Sequence, residues 1–269
     1  MDISTARKLK EKGNKLKRRR FLIFEPYYGE AAEKYKQAGN IALSQKDYGL
    51  AIECYLLEAK CHKHEKNDFD FVESQQNIAK CYALCGDDEN FIKHTSLAIN
   101  VLETMEEYSS IGNCYKNIAD TYLNSNLNLA YDYYTKAAHY YEIKNMPTIA
   151  NTCTMEKAKI LVNLSKLKEA VELYDILASD SSPDYYFKSA ICYLALRDYF
   201  KATDRLYNCN DTLRGKLLEK LLEAYKANNF KLFQLELLNY TRIGHFDNED
   251  MLILAKIKQD IILNRLNVM

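Results

Sequence analysis

The chain has 269 residues, 48% of them apolar and 28% charged, with 37 basic against 37 acidic side chains and no net charge. Only 8 glycines and 3 prolines punctuate it, which excludes a fold of many short strands joined by tight turns and points to long helices. Eight scattered cysteines without a CxxC pair, a charged start and no run of 18 apolar residues predict reduced thiols, no secretory leader and no membrane span, hence a cytosolic protein.

The zero net charge conceals an asymmetry. Residues 1–24 hold nine basic side chains (Arg7, Lys8, Lys10, Lys12, Lys15, Lys17, Arg18, Arg19 and Arg20) against Asp2 and Glu11. The remainder keeps 28 basic and 35 acidic residues, a net charge of −7. A basic arm on an acidic body predicts a polyanionic contact at one end. Residues 3–20 read as a basic helix broken near Gly13-Asn14. Phe21-Leu22-Ile23-Phe24 follow without polar relief, and Glu25-Pro26-Tyr27-Tyr28-Gly29 then reads as a loop.

Four apolar side chains beside so many cations suit the boundary of an anionic membrane. Each cation near the surface contributes roughly 1 kcal/mol, and each buried Phe or Leu about 1.5–3 kcal/mol. Membrane contact is therefore assigned to Arg18, Arg19, Arg20, Phe21, Leu22, Ile23 and Phe24. Two other readings stay open: the apolar residues tuck under the first hairpin, or KLKRRR serves nuclear import or nucleic-acid binding, since such runs are common.

From Glu30 onward helical periodicity is continuous and carries a beat of about forty residues. Gly39, Ala79, Ala119 and Ala158 mark it, and a small-then-aromatic pair at i, i+4 follows in Ala51…Tyr55, Ala130…Tyr134 and Ala170…Tyr174. A small residue facing a bulky one lets two antiparallel helices approach closely, and one such hairpin buries its apolar stripe only by stacking on neighbours. Phe91…Thr95 makes the second unit irregular. A fifth unit, Ala190 with Ala202…Leu206, comes early and predicts a tighter hairpin.

Polar joints are expected at Glu65–Asp70, Gly86–Asn90, Asn124–Asn128, Lys144–Pro147 and Ser179–Asp184. Beyond Asn210 the beat stops, and Leu217–Asn228, Phe230–Tyr240 and Met251–Leu266 read as three closing helices. The expected fold is all-α: a right-handed α-α solenoid of TPR-like helical hairpins with a C-terminal helical bundle cap. Its parts are a basic N-terminal segment with an apolar loop (1–29), the hairpin repeats (30–210) and the bundle (211–269).

No catalytic pattern stands out. Cys61-His62-Lys63-His64 with Cys54 lacks the two separated close pairs of a structural zinc site, and reads as buried thiols beside a solvated histidine pair. Cys81 and Cys85, at i, i+4, read as core. There is no Gly-rich phosphate loop, GxSxG or HExxH. No enzyme activity, metal or cofactor is expected.

The parts in their order resemble the soluble NSF attachment proteins, closest to the alpha form, from about residue 20 to the end. FLIF precedes EAAEKYKQAGN; KDYGLAIECYLLEAKCH, NIADTY…AYDYYTKAAHYYE and DYYFKSAICYLALRDYFKA follow, then KLLEKLLEAYKANN and IKQDI. The resemblance implies a non-enzymatic adaptor of vesicle-mediated transport, peripheral on membranes. Such proteins lie along the assembled SNARE complex, touch the membrane through the N-terminal loop, and recruit the hexameric ATPase NSF with the C-terminal bundle. No nucleic-acid partner is implied.

Where the alpha form carries SNARE-facing lysines this chain has Asn113 and Thr152. Lys116, Lys136, Lys157 and Lys188 lie near and are assigned to that contact. For NSF, Glu223 matches an acidic family position, a second falls at Arg197 with Asp198 next door, and two more at Lys226 and Ala227. The acidic tail of the family is replaced by NRLNVM, in which Val268 keeps the penultimate apolar residue. The alternative is a generic repeat adaptor gripping a peptide in its concave groove, to which Asn40, Asn77 and Asn117 contribute.

Overall fold

The computed structural model describes residues 2–18, 27–180 and 182–266. Among them are fourteen helices and no strand, so the all-α expectation and the TPR-like hairpin architecture hold. The chain divides into two compact units, 1–125 and 126–269.

In the first unit, α1 (Ile3–Arg18), α2 (Tyr28–Ser44), α3 (Tyr48–Glu65), α4 (Asp68–Cys85), α5 (Asp88–Thr104) and α6 (Tyr108–Tyr122) each pack against the next in sequence. The small-and-aromatic beat is what closes these contacts. Ala51 and Tyr55 are fully buried, as are Ala38 and Ala42. The Tyr55 ring lies so close to Gly39 that a Cβ added there would stand 2.6 Å from it. The Tyr55 hydroxyl donates to Asn40 Oδ1 at 2.7 Å.

Tyr35 repeats the arrangement on Gly13, where a Cβ would come within 2.8 Å of the ring, and its hydroxyl donates to Asn14 Oδ1 at 2.8 Å. Gly-Asn is thus a socket, in which the glycine admits the ring and the asparagine satisfies the phenol that burial would otherwise leave unpaired. This corrects the expected break at Gly13-Asn14: α1 runs through it, because the glycine faces a ring and does not turn the chain. Gly29, expected in a loop, lies in the first turn of α2.

In the second unit, α7 (Leu127–Ile143), α8 (Pro147–Asn163), α9 (Leu167–Asp180), α10 (Pro183–Ala195) and α11 (Tyr199–Leu206) continue the hairpins. Ala130, Tyr134, Ala170 and Tyr174 are buried, and α11, with eight residues, is the tighter fifth hairpin. α12 (Leu213–Lys226), α13 (Phe230–Tyr240) and α14 (Asn248–Leu266) follow, the second with the expected limits. α10 is the hub, touching α9, α11, α12 and α14, and α14 also returns to α8. One core joins Phe187, Ala190 and Ile191 of α10 to Leu218, Leu221, Phe233, Ile253 and Ile257.

Eight joints share one construction: Lys46-Asp47, Lys66-Asn67, Gly86-Asp87, Glu106-Glu107, Asn145-Met146, Ser165-Lys166, Arg197-Asp198 and Asn228-Asn229. The first residue of each has a positive φ, between 47° and 73°. The second residue's N–H bonds back five residues, as Asp47 to the Ala42 carbonyl (2.9 Å) and Lys166 to that of Leu161 (2.8 Å). This is a Schellman closure. In Asp47, Asn67, Asp87, Asp198 and Asn229 the same residue's side chain then accepts an N–H of the next helix. One residue ends a helix and caps its successor. The joints at 46, 106, 165 and 197 are not among those expected from the sequence, where Lys, Glu, Ser and Arg hold the left-handed position and no cluster of turn-forming residues marks it.

Candidate functional site

The described part of the basic arm is α1, which packs on α2 within the first unit. Ala6 and Gly13 are buried against it, Lys10 pairs with Glu53, and Arg7, Lys8, Lys12, Lys15 and Arg18 are exposed. Arg19, Arg20, Phe21, Leu22, Ile23 and Phe24 lie outside the described residues, as does Val268. Where the chain re-enters at α2, Tyr28 stacks on His64 at 4.7 Å. Glu65 places a carboxylate oxygen 3.0 Å from where a Gly29 Cβ would stand, against the first turn of α2, where helix-dipole attraction is favourable.

His62, expected to be solvated, is buried instead. Its Nε2 lies 3.8 Å from Glu58 Oε1, and its Nδ1 3.8 Å from Glu65 Oε2 and 3.9 Å from Asp70 Oδ2. The neighbouring Glu58 carboxylate raises the imidazole's pKa, with Asp70 and Glu65 adding attraction, and burial raises that of Glu58. A histidine whose folded pKa is raised stabilises fully below its ordinary value of about 6.5 and loses that contribution as pH rises through the folded value. Glu58, also raised, acts in the same direction. The stability of the native chain over His62→Gln is therefore expected to be greatest near pH 6 and to shrink toward pH 8. Urea unfolding of both proteins across that interval measures it, and a constant difference would refute a charged His62.

The thiols are buried as expected with one exception: Cys85 is exposed. Burial pushes Cys54 up to about 12 and Cys61 and Cys81 to about 11, which suppresses thiolate chemistry. Among the described residues no group of three His, Cys, Asp or Glu is arranged to hold a metal ion, and no helix is long and apolar enough to cross a membrane.

The four lysines differ sharply. Lys116 on α6 is half-exposed and pairs with Asp120 at 2.9 Å. Lys136 on α7 is exposed, 5.1 Å over the Tyr133 ring. Lys157 on α8 is half-buried over Tyr131 at 5.2 Å, and burial lowers its pKa. Lys188 is only 7% exposed, its ammonium held by Asp247 at 2.5 Å and Asp250 at 2.9 Å. Its charge is neutralised inside the second unit, which withdraws it as a surface contact. Arg214 completes the cluster by donating to Asp250 at 2.9 Å and to the His245 carbonyl at 3.1 Å. Sequence reasoning missed this network; the signal was a lysine set between Phe187 and Ala190 on an apolar face.

Asn113 and Thr152 are exposed. Asn113 lines an open cleft of about 620 Å³ with Gln76, Asn77, Lys80 and Asn117, between α4, α5 and α6. Its rim is rich in carboxamides, a feature legible only as the forty-residue interval between Asn77 and Asn117. Asp198 caps α11 by accepting from the Lys201 N–H at 3.1 Å, so part of its hydrogen-bonding capacity is spent. Glu223 on α12 is exposed, and Arg197 pairs with Asp260.

These features define a helical-hairpin scaffold whose candidate groups lie on helix faces. Residues 4–262 match the family described as soluble NSF attachment protein, SNAP, and the chain belongs to that family. It is 24% identical over 252 residues to the beta-soluble NSF attachment protein of Bos taurus, covering 86% of this chain and 83% of that one. It is also 24% identical over 259 residues to the alpha-soluble NSF attachment protein of Homo sapiens, with 86% and 84% covered. A probable vesicular-fusion protein sec17 homolog of Neurospora crassa is 26% identical over 255 residues, with 88% and 87% covered. Membership places the chain among adaptors of vesicle fusion.

Proposed function

We propose that this chain binds assembled SNARE complexes at the membrane surface and recruits and stimulates NSF to disassemble them, without performing catalysis itself. The observation that carries this reading is the family match across nearly the whole chain, joined to a stack of hairpins with an extended surface in each unit. Lys116, Lys136 and Lys157 are the proposed SNARE contacts; Glu223, Asp198 and Val268 are the proposed NSF contacts. Lys188 is left out because its charge is internally paired. No metal, cofactor or nucleic acid enters the mechanism.

The direct test is co-sedimentation of the purified protein with liposomes bearing an assembled SNARE bundle, followed by NSF and ATP. Binding and then ATP-dependent release are expected. Absence of binding at low salt, where charge attraction is strongest, would overturn the adaptor reading.

Phe21, Leu22, Ile23 and Phe24, with Arg18, Arg19 and Arg20, are the proposed lipid contact. Phe21→Ser combined with Phe24→Ser is expected to weaken liposome binding about 100-fold, since each lost phenyl forfeits at least about 1.5 kcal/mol. Thermal stability should stay unchanged. An equal loss of stability would show instead that the rings belong to the core.

A further inference from the structure

The solvent face of α1 is strongly cationic, with five basic side chains against one acid, Glu11. At about 100° per residue, Arg7, Lys8, Lys12, Lys15 and Arg18 fall within an arc of roughly 140°, and they span about 16 Å along the axis. All five are exposed, and Glu11 is the single acid of α1 between them. The opposite side is fixed: Gly13 receives the Tyr35 ring, Ala6 is fully buried, and Lys10 pairs with Glu53. The charges are therefore presented by a docked helix whose position is set before any partner arrives.

We propose that this face of α1 is a second lipid-binding element, selective for anionic phospholipid headgroups and distinct from the apolar residues 21–24. The inference rests on the membrane reading above and extends it to Arg7, Lys8, Lys12 and Lys15. Three observations favour lipid over other polyanions. The exposed face carries no aromatic or carboxamide group that could stack on or read a base, in contrast to the usual make-up of a nucleic-acid surface. The helix is followed within a few residues by four consecutive apolar side chains, a combination that suits the headgroup and acyl layers together. The rest of the chain has a net charge of −7, so an anionic bilayer attracts this face and repels the body, which orients the molecule.

The test uses the full chain and vesicles without SNAREs, so its outcome is independent of the adaptor reading. Phosphatidylcholine vesicles with and without one third phosphatidylserine are compared for the native protein and for Lys8→Gln/Lys12→Gln/Lys15→Gln. Each cation near an anionic surface is worth about five-fold in affinity, so the triple variant should bind the anionic vesicles roughly 100-fold more weakly. Binding to neutral vesicles and the thermal midpoint should not change, because the three side chains are exposed.

A triple Lys→Arg variant should bind as the native chain does. Phe21→Ser/Phe24→Ser, by contrast, should weaken binding to both vesicle types alike. Equal native binding to both vesicle types, or unchanged anionic binding by the Gln variant, would overturn the proposal. So would a random duplex DNA that binds the native chain more tightly than the anionic vesicles at the same salt.

Discussion

Tyr55→Ala is expected to destabilise the N-terminal unit by about 3–5 kcal/mol, the range for removing a large ring from a packed core. The ring is fully buried between α2 and α3, and its hydroxyl is satisfied by Asn40. The Gly39 socket responds in a background-dependent way. Gly39→Ala alone gains about 1 kcal/mol of helix propensity but drives a methyl into the ring, an overpacking that costs about 1–3 kcal/mol. It should therefore destabilise in the native background. In the Tyr55→Ala background the methyl meets open space, and the same substitution should stabilise. Urea unfolding of the four proteins forms a double-mutant cycle. A stabilising Gly39→Ala in the native background would refute the close packing of ring on backbone.

Lys188→Met should cost the second unit about 3 kcal/mol. Asp250 is fully buried, and removing one member of a buried ion pair strands the other at a cost of about 3–5 kcal/mol. The lower figure applies because Arg214 still donates to Asp250 at 2.9 Å. Removing both charges with Lys188→Met/Asp250→Leu should recover part of the loss, although Arg214 then loses its partner. Denaturant midpoints of the three proteins measure the effect, and a loss below about 1 kcal/mol for Lys188→Met would show that the ammonium is hydrated instead of buried.

Much of this was legible in the sequence because hairpin packing writes itself locally. Ala51…Tyr55 and Ala170…Tyr174 sit one helical turn apart, and one turn is the distance over which periodicity is read. The limits of α13 were equally plain, since Asn229 is an N-cap residue immediately before an apolar run. What failed depended on partners far along the chain. Gly13 looked like a helix breaker because its ring arrives from α2. Lys188 looked like a surface cation because its carboxylates stand 59 and 62 residues away. His62 was read as solvated because nothing local announces Asp70 and Glu58 closing over both sides of its ring. The site was the least legible part, since the proposed membrane, SNARE and NSF contacts are surface choices that no core periodicity encodes.

The joints in which one residue ends a helix and caps the next have a kinetic consequence. Each brings consecutive helices together after three residues or fewer, so in the first unit nearly every contact forms between neighbours in sequence. Low contact order of this kind gives fast folding that can nucleate in any hairpin. The second unit is different, because its hub α10 is completed only when α14 returns to it and to α8. During synthesis from the N-terminus, the first unit can close while the chain is still growing, whereas the second must wait for α14.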